Sequence, residues 1–230
     1  MNEQLRALYA SRWENTSRSL QEIVNNNDKP HPTNPLLLYV DKEEEWLHAG
    51  LRVMIFGQES NDWEAYPGKS IDHLLGVYDD FFNKGACWGY GGQFWNAVAR
   101  FQHLLDAAHP TTQIRYMWNN IVKIGKIGKA GFPPGYIYNE EYVHFHVIPE
   151  EVAILKPHVA LFLTGPNYDG AIDDNFGRVN YTAIPPYTGR QLARLSIPGI
   201  NAAFRTYHSP SLWRNDIQSC FEAIIKEIAL

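Results

Sequence analysis

The feature that most constrains the fold is the stretch from Leu51 to Trp63, L-R-V-M-I-F-G-Q-E-S-N-D-W. Its apolar run, Val53 to Phe56, stops at Gly57 and is followed at once by an acid, amides and a hydroxyl. Such a run is typical of a strand buried on both faces. The glycine permits a tight turn, which puts the polar cluster at the carboxyl end of the strand, where open α/β sheets bind ligands. Glu59 is therefore the first candidate for chemistry; its alternative role is to cap the next helix.

Apolar periodicity alternates between helix and strand along the chain. It predicts helices over residues 2–25, 41–49, 71–83, 93–108, 149–155, 189–195 and 215–229. It predicts strands over 52–56, 114–122, 156–165 and 200–206, and an extended segment over 143–147. This alternation indicates an α/β fold, doubly wound, with a mainly parallel four-stranded sheet flanked by helices and an extra N-terminal helix. We expect residues 1–35, a helix and a breaker-rich connector, to pack on a single domain formed by 36–230.

Composition excludes several classes of protein. Two cysteines, Cys87 and Cys220, cannot build a disulfide framework or a four-thiolate cluster, and they fit a reduced, cytoplasmic setting. No run of about 18 apolar residues is present, so no membrane association is expected. His144 and His146 alternate within residues 143–147 without a nearby third ligand, so no metal and no cofactor are expected.

The charge is unevenly distributed. The net charge of −5 argues against a sequence-blind nucleic-acid binder. However, residues 111–139 and 175–215 contain lysines and arginines and no acid. If these two stretches share a face, the protein has a basic side despite its acidic total; scattered surface charge is the alternative.

Polar residues follow each predicted strand. The four strands lead to Glu59, to Asn119 and Asn120, to Gly165 and to His208. In a parallel sheet these ends converge on one rim, which predicts a carboxylate, an amide and an imidazole in one cleft. The chain has no G-x-S-x-G and no dinucleotide fingerprint, so an α/β hydrolase of small molecules lacks its nucleophile.

The same residues resemble the uracil-DNA glycosylase superfamily. Gly57-Gln-Glu59-Ser-Asn is similar to its first motif, G-Q-D-P-Y, and Asn120-Ile-Val-Lys to its base-reading asparagine strand. Residues 151–165 resemble its helix–Lys-Pro–strand–Gly segment, and 206–212 its H-P-S-P-L loop. The resemblance covers about residues 50–229, with the four pieces in the family's order. It implies a divergent member with the same α/β fold.

The resemblance implies a DNA-repair-type glycosylase that hydrolyses the N-glycosidic bond of a flipped, uracil-like or otherwise modified base. Glu59 would stabilise the sugar cation and orient water, while His208, or Tyr207 if the loop is shifted by one residue, would donate to the leaving base. The residues expected to contact the base are Gln58, Asn119, Asn120 and one of the aromatics Phe81, Phe82 and Trp63.

The implied partner is DNA, single- or double-stranded with a damaged base, or another nucleobase-containing ligand, bound by a monomer. Leu212 could be the apolar wedge that fills the gap left by a flipped nucleotide, with a core role as the alternative. The residues expected to contact DNA around the cleft are Lys123, Lys126, Lys129, Ser209, Ser211, Leu212 and Arg214.

The chain also departs from the family pattern. Glu59 stands where the family has Asp, Ser60-Asn61 replaces Pro-Tyr, and the last loop is His-Ser-Pro. The two cysteines exclude the iron–sulfur branch. These departures leave open a second interpretation, a non-catalytic nucleic-acid or nucleotide-binding module with the same fold.

Overall fold

The computed structural model describes residues 1–228 and shows an α/β protein with an open, mixed six-stranded sheet flanked by helices. The helices are α1 (Asn2–Asn25), α2 (Glu43–Leu47), α3 (Ile71–Tyr78), α4 (Ala86–Tyr90), α5 (Gly92–Ala108), α6 (Gly135–His144), α7 (Ile148–Leu155), α8 (Asp169–Phe176), α9 (Ser209–Arg214) and α10 (Ile217–Glu227). The strands are β1 (Leu51–Glu59), β2 (Ile114–Val122), β3 (Val159–Phe162), β4 (Tyr181–Ala183), β5 (Leu192–Leu195) and β6 (Ala202–Thr206). A π-helical turn, Asp79–Asn83, extends α3, and a 3₁₀ turn, Pro166–Tyr168, precedes α8.

The strand order is β2-β1-β3-β6-β5-β4. β1, β3 and β6 run parallel, whereas β5 pairs antiparallel with β6 and β4 antiparallel with β5. The α/β class is thus confirmed, but the sheet has six strands instead of four. The helix predicted over 189–195 is wrong, because Leu192–Leu195 pairs with Thr206–Ala203 and strand pairing overrides the weak local preference of this short segment.

The contacts of the chain group into two compact units. The first contains Met1–Asp41, Gln58–Lys84 and Asn120–Leu155; the second contains Lys42–Gly57, Gly85–Asn119 and the chain from Lys156 onward. The sheet belongs to the second unit, except for the last residues of β1 and β2. The expected division of the chain at residue 35 remains a prediction, since these units describe packing and not independent folding.

The first unit is built on α1, which packs against α3, α6 and α7. Its buried face includes Tyr9, whose ring stacks on Phe145 with centroids 6.1 Å apart. The connector after α1 is buried from Pro32 to Pro35 and bonds to a later segment: the Thr33 N–H donates to the Gly125 carbonyl at 3.1 Å, and the Gly125 N–H donates to the Thr33 side-chain hydroxyl at 2.9 Å. Residues 143–147 are not extended: α6 continues to His144, so the two histidines do not share one side of a strand.

The second unit has its core at the parallel strands. Phe56, Phe162 and Arg205 are aligned register partners, so β1, β3 and β6 approach the same edge of the sheet with their carboxyl ends. The rings of Phe56 and Phe162 stack with centroids 4.5 Å apart. α5 and α10 pack against each other through Phe101 and Phe221. Within residues 1–228 no helix is long and apolar enough to cross a membrane.

Candidate functional site

The carboxylate of Glu59 lies at the end of β1 in the first unit. β1 continues three residues beyond the apolar run, which brings Glu59 into a half-buried position. Its Oε1 accepts a hydrogen bond from the backbone N–H of Gly131 at 2.7 Å. Gly131 belongs to the glycine-rich loop between β2 and α6 and has a positive φ of 94°. A main-chain donor therefore orients the acid that the sequence singled out.

Ser60 connects Glu59 to Asn120. The buried Ser60 hydroxyl donates to the carbonyl oxygen of Lys123 at 2.9 Å, and the Asn120 side-chain amide lies 3.4 Å from the same hydroxyl as its donor. The backbone of Gly125 also approaches closely: a Cβ at this position would lie 1.7 Å from the Ser60 carbonyl oxygen. Asn120 is thus in contact with Ser60, the residue that follows Glu59.

The basic loop after β2 folds back along the segment that follows Glu59. The carboxylate of Asp62 accepts from the Gly128 N–H at 2.6 Å. Lys126 is half-buried and its Nζ donates to the Phe132 carbonyl, whereas Lys129 is exposed. Of the three lysines predicted to contact DNA, Lys129 is the one on the surface.

Lys123 is fully buried, so its assignment to DNA contacts is wrong. Its Nζ donates to both oxygens of Glu151, at 2.8 and 3.0 Å, and the Tyr9 hydroxyl donates to the same carboxylate at 2.7 Å. Burial lowers the pKa of Lys123, and the charge of Glu151 acts in the opposite direction. The ammonium group belongs to the core of the first unit and cannot reach a phosphate.

Glu141 is a site residue that the sequence did not reveal. It is buried on α6 and its two carboxylate oxygens accept from the backbone N–H groups of Lys123 and Ile124, at 2.8 and 2.7 Å. Glu141 therefore fixes the main chain at Lys123, whose carbonyl oxygen accepts the hydrogen bond from the Ser60 hydroxyl. Burial raises the pKa of Glu141 to about 8, while the two backbone bonds act in the opposite direction. Nothing in its local sequence, N-E-E-Y, distinguishes it from a surface acid.

The raised pKa of Glu141 predicts a pH-dependent stability. Between its ordinary pKa of 4.5 and about 8, the folded protein keeps a proton that the unfolded chain has released. The contribution of this group to the free energy of unfolding therefore falls as the pH rises, by up to about 1.4 kcal/mol per pH unit. Glu141→Gln cannot titrate, so urea unfolding across this window should give a flatter profile than the wild type. Parallel profiles would contradict the assignment.

Two of the three candidate stacking aromatics form a pair. Trp63 and Phe81 are both half-buried and meet edge to face, with centroids 5.6 Å apart. Phe82 is buried and packs on Tyr78 at 5.8 Å, which makes it a core residue. Gln58 is half-buried at the end of β1. Trp63 and Phe81 are thus better placed than Phe82 to contact a ligand.

The other predicted site residues lie in the second unit. Asn119 is fully buried, and its amide nitrogen is 3.9 Å from the sulfur of Met54. His208 is half-buried before α9, with its Nδ1 3.3 Å from the Ser211 hydroxyl. Gly165 has a positive φ of 75°, and a Cβ there would lie 3.0 Å from the His208 nitrogen. Glycine at this position therefore permits the chain before α9 to pass close to the end of β3.

The helix α9 corrects part of the predicted DNA surface. Ser209 and Leu212 are buried, so Leu212 is a core residue in this structure and the wedge interpretation is not supported. Arg214 is exposed, and its Nε donates to the Pro210 carbonyl. Tyr207, the alternative to His208, is half-buried with its backbone N–H bonded to the Gln191 carbonyl.

Comparison with known proteins does not extend this description. No protein-family model and no curated protein matches the chain. Among residues 1–228 there is no group of three histidines, cysteines or acids that could hold a metal ion.

Proposed function

We propose that the protein is an N-glycosyl hydrolase, of the uracil-DNA glycosylase type, that releases a uracil-like or otherwise modified base from DNA. The observation that carries this proposal is the half-buried Glu59 carboxylate, oriented by the Gly131 N–H, with the Asn120 amide against the next residue, Ser60. The α/β sheet with parallel central strands is compatible with the fold that the resemblance implies.

The carboxylate suits the reaction because cleavage of an N-glycosidic bond develops positive charge on the sugar. A fixed negative charge stabilises that cation, and the same group can orient or deprotonate the attacking water. The main-chain N–H of Gly131 holds Glu59 through Oε1, and this bond does not depend on which side chains the loop carries. Such a preset geometry reduces the reorganisation needed at the moment of reaction.

The amide and the aromatic pair suit recognition of the base. A side-chain amide offers both donors and an acceptor, which match the polar edge of a nucleobase. Asn120 is buried near the end of β2 with its amide against Ser60, and Trp63 with Phe81 supplies an aromatic face in the same unit. The resemblance also implies that His208 donates to the departing base, and the His208→Ala variant tests that role.

The proposal is tested with oligonucleotides containing uracil, hypoxanthine or a mismatch, followed by alkaline cleavage at abasic sites. Glu59→Gln keeps the size of the side chain but removes its charge, so the rate of base release should fall by about a hundredfold or more. His208→Ala should also slow base release. Glu14→Gln is the matched control, because Glu14 is an exposed acid of the first unit and should leave the rate unchanged. If the wild-type protein forms no abasic product on any substrate, the proposal is wrong.

A non-catalytic nucleic-acid or nucleotide-binding module is the second candidate. It is favoured by the hydrogen bond from Gly131, which also gives Glu59 a structural role in closing the loop, and by Ser60 where the family has proline. Binding without base release in the wild type, unchanged in Glu59→Gln, would support this candidate.

A further inference from the structure

Three exposed aromatic side chains lie on neighbouring elements of the second unit. Trp88 and Tyr90 are on α4 and Trp213 is on α9, with exposed fractions of 46%, 70% and 41%. We call these three residues the aromatic surface. They are also the large apolar side chains that α4, α5 and α9 expose. A protein interface built on these elements would have no large exposed aliphatic side chain to bury.

Two contacts attach the aromatic surface to the start of α5. The indole Nε1 of Trp213 donates to the Gln93 carbonyl at 3.1 Å. Trp88 meets Trp95 edge to face, with centroids 6.0 Å apart. Gln93 and Trp95 are separated by one residue, so α4 and α9 are both fixed at the first turns of α5. The rings of the aromatic surface are therefore held on a rigid support.

Open main chain lies between these anchors. Gly91 and Gly92 connect α4 to α5 with positive φ angles of 73° and 85°. A Cβ at either position would meet no atom within 4 Å. The main chain that follows Tyr90 therefore has open space at both glycines.

The chain segments that carry the aromatic surface contain arginines and no acid. Residues 85–105 contain no acid, and residues 177–215 contain none either. Arg214 on α9 is exposed, and exposed Arg100 on α5 donates to the side chain of Gln218. The first acid after α9 is Asp216, whose carboxylate accepts from the Ser219 backbone and hydroxyl at the start of α10. This combination of arginines and exposed rings complements a polyanion with flat bases.

We propose that the aromatic surface binds single-stranded nucleic acid, with bases stacked on Tyr90, Trp213 and Trp88 and phosphates near Arg214. Aromatic platforms with adjacent cations are the usual means of holding a single strand without sequence preference, because every base has a face that can stack. This inference rests on the proposed function, and it names single-stranded DNA as the class of substrate for that activity.

The test measures binding directly. Fluorescence anisotropy with a labelled oligothymidine of about 15 nucleotides reports the affinity without any base release. Tyr90→Ala and Trp213→Ala should each weaken binding about tenfold, whereas Tyr90→Phe should bind as the wild type does. The matched control is Tyr142→Ala, which removes an equally exposed ring from α6 of the first unit, 50% exposed, and should leave the affinity unchanged.

Salt dependence tests the role of the arginine. Arg214→Ala should reduce the slope of log K against log salt concentration by about 0.7, the value for one phosphate contact on a single strand. Circular dichroism of each variant verifies that the fold is kept; Tyr90, as the most exposed ring, is the substitution least able to disturb it.

Three results would overturn the inference. The first is the absence of oligothymidine binding by the wild type at low salt. The second is an equal loss of affinity in Tyr142→Ala. The third is self-association that Tyr90→Ala abolishes, which would assign the aromatic surface to a second copy of the chain. Oligothymidine contains no base that the proposed reaction releases, so a failure of base release and a failure of strand binding are distinguished.

Discussion

Replacement of Lys123 by methionine is expected to lower the free energy of unfolding by about 3–5 kcal/mol. The ammonium group is fully buried and makes two hydrogen bonds to Glu151. Without it, the Glu151 carboxylate stays buried with the Tyr9 hydroxyl bond but without its countercharge. An uncompensated buried charge is among the most destabilising changes that a single substitution can make.

Two control variants distinguish the loss of the Lys123–Glu151 ion pair from a loss of packing. The double variant Lys123→Met with Glu151→Leu removes both charges and should recover most of the stability that the single variant loses. Arg194→Met breaks an exposed pair with Glu227 and should cost no more than about 1 kcal/mol. Urea unfolding monitored by circular dichroism gives all three values. A double variant that is no more stable than Lys123→Met would show that the two charges do not stabilise each other.

The second large effect is expected for Gly125→Ala. The new methyl carbon would lie 1.7 Å from the Ser60 carbonyl oxygen, so the backbone at Ser60 must move. Overpacking against main chain should cost about 3 kcal/mol, the upper end of the usual range. Since the displaced residue adjoins Glu59 and contacts Asn120, base release should also fall by about a hundredfold, as expected for a shift of about 1 Å at a reacting group.

Gly76→Ala is the matched control for this substitution. Gly76 lies inside α3, and a Cβ there would meet no atom within 4 Å. Alanine at this position should stabilise the protein by about 0.5–1 kcal/mol, because glycine is a poor helix residue. Unfolding in urea and the rate of base release are measured on both variants. A Gly125→Ala protein with wild-type stability would mean that Ser60 and Gly125 are not in close contact.

The strand and helix patterns predicted much of the fold. The apolar run before Gly57 is a buried strand, residues 114–122 form β2 with the bounds predicted, and the final helix is α10. These segments carry strong local periodicity, which is the part of the fold that a sequence expresses directly. β5 was not predicted, because four residues of ordinary composition become a strand only by pairing with β6.

The candidate site was predicted less completely, and for a different reason. Glu59 and Asn120 stand out because polar residues interrupt or end apolar strands. Lys123 also follows such a strand, but its partner Glu151 is distant in sequence, so burial could not be told from exposure. Glu141 accepts hydrogen bonds from backbone N–H groups. Because every residue except proline has such a group, this contact requires no particular residue type at the donor position and leaves no pattern in the sequence.

The bond from the Gly131 N–H to Glu59 allows the loop side chains to be varied. Because the donor is main chain, this bond does not depend on the side chains at the neighbouring exposed positions, Lys129 and Ala130. A library randomised at these two positions could therefore change which ligands the loop admits while the carboxylate keeps its orientation. The loop side chains would then determine which ligands bind, while the position of the carboxylate stays the same.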